Sequence, residues 1–150
     1  MRSFLKRFWP GQSRPDASQD ATVPPIGDQE CLGRFVYHPK DVSRSQGVAK
    51  PKVFMPEQHP ETEEWETSTC RMGQLTDQAS WDIGDRIRGM SVVARADIDA
   101  SGVLDSNARC QAAPQPDFDE HAVIVGWPNE KEAQKAIAAA LAYRAELVER

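Results

Sequence analysis

His121, Arg95 and Asp97 are the residue types that general acid–base chemistry on an anion would use. His121 stands near the start of an apolar run, EHAVIVG at Glu120 to Gly126, and Arg95 and Asp97 sit two apart in SVVARADI at Ser91 to Ile98. Residues two apart on a strand share a face. Were the two runs neighbouring strands, the three side chains would converge at one sheet edge, with Asp97 orienting His121 as a base and Arg95 holding negative charge. The competing expectation is an Arg95–Asp97 surface pair with His121 satisfied by a backbone group, since structural networks supply most such clusters.

Other motifs are incomplete. DIDASGVLDSNA at Asp97 to Ala108 matches a calcium loop at Asp97, Asp99, Ser101, Gly102, Leu104 and Asp105, but Ala108 replaces the bidentate glutamate at the twelfth position. A strand-like SVVARA also precedes it where a helix is required. Asp99 or Ser101 is more simply a turn cap, so no metal is expected at Asp97, Asp99 and Asp105. His59-Pro60-Glu61 matches half of a zinc deaminase signature and lacks the PCxxC that completes it. The other histidines, His38 and His121, stand at no ligand spacing. GxGxxG and GxxxxGK[ST] are absent, as is a GxSxG elbow, which argues against nucleotide-cofactor enzymes of the common folds. No cofactor is expected.

The elements that must position these residues follow from periodicity. Gly33 to Tyr37 (GRFVY) and Lys52 to Met55 (KVFM) are strand candidates, the second ended by Pro56. Five acids between Glu57 and Glu66 mark an exposed loop, and Trp65 to Met72 is a strand of weak alternation. Leu75, Ala79, Ile83 and Ile87 predict a helix over Thr76 to Arg88, stopped by Gly89. Ser91 to Ile98 alternates as a strand with one buried side, and Ala108 to Ala112 is a further short strand. Ala122 to Val125 is apolar on both faces, as in a central strand. Asn129 and Glu132 predict a capping box for a last helix, whose stripe of Ala133, Ile137, Leu141 and Val148 runs down to Arg150.

The remainder is organised differently. Residues 1–11 (MRSFLKRFWPG) form a basic amphipathic leader, with Arg2, Lys6 and Arg7 beside Phe4, Leu5, Phe8 and Trp9. It lacks the apolar stretch of a secretory signal and suits docking on another protein or peripheral contact with a membrane surface. Residues 12–29, rich in Ser, Asp, Gln and Pro, cannot bury enough apolar surface to order and read as a disordered linker. Residues 30–150 then form a single domain. The net charge of −5 argues against a domain-wide nucleic-acid footprint. No run of 18 apolar residues is present, which excludes a transmembrane helix. Cys31, Cys70 and Cys110 are odd in number with no CxxC pair, the usage of reduced thiols in a cytoplasmic protein.

FMP at Phe54 to Pro56, ARADI at Ala94 to Ile98 and above all HAVIVGWPNEKEAQ at His121 to Gln134 resemble a family of small, uncharacterised bacterial proteins. The resemblance covers roughly Gly33 to Ala142. It implies a bacterial cytosolic domain and assigns no catalytic residue.

An α+β fold is therefore expected, a small antiparallel or mixed sheet with about two helices on one face and a flexible N-terminal arm. The first expectation for function is a non-enzymatic protein-binding or regulatory module whose partner contacts are Phe4, Leu5, Phe8 and Trp9. The alternative is a small-ligand or nucleotide-binding enzyme using Arg95, Asp97 and His121.

Overall fold

The computed structural model describes residues 23–150. The leader, with Phe4, Leu5, Phe8 and Trp9, and the linker as far as residue 22 lie outside the described residues. From residue 24 the chain is tied to the domain. Arg71 donates to the carbonyls of Pro24 and Pro25 and pairs with Glu30 at 2.6 Å, and the Asp28 and Glu30 carbonyls accept from the amides of Ser101 and Ala100.

The expected α+β class is what forms. Its main strands are β1 (Cys31–Val36), β5 (Trp65–Arg71), β6 (Ala94–Asp99), β7 (Arg109–Ala112), β8 (His121–Val125) and β9 (Glu146–Glu149). They pair in the order β7-β8-β5-β1-β6-β9, with β4 (Glu57–Gln58) added on β5, and every pairing is antiparallel. A small hairpin, β2 (Val42–Ser43) with β3 (Val48–Ala49), stands apart. Three helices complete the described part: α1 (Asp77–Arg88), α2 (Ala100–Asp105) and α3 (Lys131–Arg144).

Alternation divides the core in two. Val36, Ala94, Ala96, Ile98 and Ile124 point to the face covered by α3, where Ala138, Leu141 and Ala142 meet them beside Phe54 and Trp127. Phe35 and Cys70 point to the opposite face, beneath Trp81 and Ile83 of α1, with Phe118. Small residues let α3 approach closely on one side, and Gly84 does so for α1 on the other. A Cβ there would lie 2.4 Å from Val92 Cγ2 and 3.0 Å from Phe35 Cδ1. Thr76 caps α1 by accepting from the Ala79 amide at 3.1 Å, and Gly89 ends it in the left-handed region at φ 65°.

Several expectations are corrected. Lys52 to Met55 is no strand: Pro51–Phe54 is a 3-10 helix with Pro51 in its first turn, and the Val53 amide bonds to the Lys50 carbonyl. Proline's fixed φ favours that start. The acidic stretch is a tight hairpin in which β4 pairs with β5 and Glu66 is only 4% exposed. The strand predicted from Ser91 begins at Ala94, and both its faces are covered. The last helix stops at Arg144, and Glu146–Glu149 becomes an edge strand on β6, because pairing with an otherwise free edge satisfies more backbone groups than one further helical turn. The predicted capping box does not form. Glu130 is the N-cap with no side-chain bond, and Asn129 Oδ1 accepts from Trp65 Nε1 at 3.1 Å.

Candidate functional site

The face under α1 gathers most of the polar chemistry of the sheet. Arg95 leaves β6 beneath α1 and is 3% exposed. Its Nε donates to Asp97 Oδ1 at 2.6 Å and its Nη2 to Asp97 Oδ2 at 2.8 Å, a two-pronged pair. Nη1 donates to Ser80 Oγ at 2.6 Å and Nη2 also to Asp77 Oδ1 at 3.0 Å. The guanidinium carbon lies 5.0 Å from the Trp81 ring centroid, a cation–π distance. Burial works to lower the Arg95 pKa, and the carboxylates of Asp97 and Asp77 more than offset it, so it stands above its ordinary value.

The local sequence explains this closure. Asp77, Ser80, Trp81 and Gly84 fall at helical spacing and form the stripe of α1 that meets the sheet. Gly33, facing Asp97 across the β1–β6 pair, leaves the Arg95 side chain room to lie along the sheet. A Cβ at Gly33 would sit 2.7 Å from Arg95 Cδ and 3.1 Å from Asp97 Oδ1.

His121 is 2% exposed on the same face and stands elsewhere along it. Its Nδ1 lies 2.7 Å from the Ala113 carbonyl, its Nε2 3.0 Å from Ser68 Oγ. A carbonyl only accepts, so in the neutral ring Nδ1 carries the proton and Nε2 accepts from the Ser68 hydroxyl. Phe118 packs its ring 5.0 Å from the imidazole.

The structure therefore joins Arg95 to Asp97 and leaves His121 apart. Register places His121 beside Cys70, Cys70 beside Gly33 and Gly33 beside Asp97, three strand spacings or about 14 Å. Asp97 does not orient His121; the Ala113 carbonyl does. The pairing of Arg95 with Asp97 is buried rather than on the surface. Asp77, Ser80, Trp81 and Ser68 are the members that sequence reasoning missed. The first three carried a readable signal in their helical spacing, whereas Ser68 is one polar residue among several in WETSTCR.

The calcium-like segment is split between a strand and a helix. Asp97 is taken by Arg95, Asp99 is the N-cap of α2, and Asp105 ends that helix. Among the described residues no group of three or more His, Cys, Asp or Glu side chains could hold a metal ion. The thiols are free. Burial, with Asp97 adding to it, pushes Cys31 up to about 11; burial, with Glu120, pushes Cys70 up to about 12; burial, with Glu30, pushes Cys110 up to about 12. Such thiols are poor nucleophiles at neutral pH. No family model, curated protein or solved structure matches the chain.

Proposed function

We propose that this chain is a protein-binding or regulatory module of the bacterial cytoplasm, in which the arm carrying Phe4, Leu5, Phe8 and Trp9 engages another protein. The observation that carries the reading is the anchor at Arg71. By holding the Pro24 and Pro25 carbonyls and Glu30 together, it fixes where the arm leaves the sheet. A short basic segment with aromatic anchors, tethered at a defined point, is suited to a partner's groove. The free thiols support a reducing compartment. The resemblance of His121 to Gln134 to small bacterial proteins supports the source.

The closure of Arg95 weighs against the enzymatic alternative as first framed. Four hydrogen bonds already engage the guanidinium, so it is poorly placed to hold a substrate anion.

The test compares the full chain with one starting at Val23 and with Phe4, Leu5, Phe8 and Trp9 all changed to alanine. A cut at Val23 spares the Pro24–Arg71 anchor. Expected is loss of a stoichiometric protein partner in both variants with an unchanged thermal midpoint. Undiminished association rejects the role of the arm, and flotation with anionic vesicles in place of a protein partner would move the contact to lipid.

A further inference from the structure

Ser68 and His121 are arranged as a nucleophile and its base, and we infer that they form an acyl-transfer site acting on small esters with an apolar acyl group. The inference goes beyond the role of the arm, since every residue it uses lies in the folded sheet.

Three features of geometry carry it. The first is the hydrogen bond from Ser68 Oγ to His121 Nε2, whose 3.0 Å is within reach for proton transfer. The second is the orienting bond behind it: the Ala113 carbonyl holds Nδ1–H at 2.7 Å and so aims the Nε2 lone pair at the hydroxyl. A base held in one tautomer by a third group is the arrangement that activates a serine, whatever the fold around it. The third is access. His121 is buried, whereas Ser68 keeps partial exposure.

The surroundings set the substrate class. Register places Val123 directly beside Ser68 on β8. Continuing the β1–β5 pairing of Gly33 with Cys70 brings Phe35 to its other side. Phe118 lies against the imidazole. These side chains favour an apolar acyl group over a charged one.

The chemistry closes on the chain's own groups and water. Ser68 Oγ attacks the ester carbonyl as its proton passes to His121 Nε2. The carbon–oxygen bond to the leaving alcohol then breaks, and the alkoxide takes that proton. Water attacks the resulting acyl-Ser68 ester, giving its proton to Nε2, and the carboxylic acid departs as Ser68 Oγ recovers the proton. No oxidant, reductant or metal enters the balance.

The full chain is treated with an alkyl fluorophosphonate, and its hydrolysis of p-nitrophenyl butyrate is followed. Expected is a covalent adduct on the Ser68 peptide by mass spectrometry. Hydrolysis should drop by at least about 100-fold in Ser68→Ala, the scale of losing a positioned nucleophile and base. In His121→Gln both signals should fall while Ser68 remains. Should that variant lose its fold, His121→Asn, whose amide can still meet the Ala113 carbonyl, answers instead with the same expected fall in labelling. A folded chain with no adduct on Ser68, or hydrolysis unchanged in Ser68→Ala, overturns the inference. So does labelling that persists undiminished in folded His121→Gln or His121→Asn. Labelling that survives in the chain starting at Val23 separates this site from the arm.

Discussion

At the residue scale, one absent side chain governs the polar layer under α1. Gly33 has no Cβ, and the Arg95 methylenes occupy the volume that one would fill. Gly33→Ala should therefore push Arg95 from its two-pronged contact with Asp97, and the expected loss is about 1–3 kcal/mol, the usual cost of overpacking a close-packed interior. Urea unfolding measures it, and a variant as stable as the parent would show that the layer yields freely. Arg95→Ala acts by another route: it leaves Asp97 largely buried without its partner, at a cost of about 3–5 kcal/mol. The exposed Asp77 adds little to that figure. At this scale the sequence was readable in part. Two-residue spacing correctly put Arg95 beside Asp97, and nothing in β6 alone tells a solvent-facing pair from one beneath a helix. That information sits in α1, where Asp77, Ser80 and Trp81 share a stripe, and it becomes visible only when the two elements are brought together.

At the element scale, legibility followed the strength of local signals. The helix over Thr76 to Arg88 was readable because cap, period and stop agree: Thr76 accepts from Ala79, apolar residues recur, and Gly89 takes a positive φ. Agreement across levels is what specifies a local structure. The C-terminal element was misread for a complementary reason. Val148 continues the helical stripe of Ala133, Ile137 and Leu141, and only the free edge of β6, distant in sequence, makes pairing the better solution. The 3-10 helix at Pro51–Phe54 was hidden likewise, its apolar run being compatible with a strand until Pro51 is weighed. Thr76→Ala checks the stronger of these signals. Loss of a side-chain cap costs about 1 kcal/mol, and because α1 carries the stripe that closes Arg95, the thermal midpoint should fall with the cap. An unchanged midpoint would mean that packing alone holds the first turn.

At the scale of the whole molecule, two arginines tie chain segments across the sheet. Arg71 fixes the entry near Pro24, while Arg150 reaches α1, where its Nη1 lies 2.8 Å from Asp85 Oδ1 and its guanidinium 5.9 Å from the Trp81 ring centroid. The same Asp85 oxygen accepts from the Val92 amide at 2.8 Å, just ahead of β6. One carboxylate thus joins α1, the approach to β6 and the residue following β9. The hydrogen bond from Arg150 and then that from Val92 hold the Asp85 carboxyl below its ordinary value of 3.8. The folded state therefore binds this proton less readily than the unfolded chain. The stabilisation is fully present above the unfolded value, and it is lost as pH falls through the lower folded one. Asp85→Asn should accordingly melt below the parent chain at pH 7, with the gap between the two midpoints closing as the acid range below about pH 4 is entered. Parallel curves down to strong acid would mean that Asp85 titrates alike in both states, and that the three segments are held together by the Trp81 packing instead.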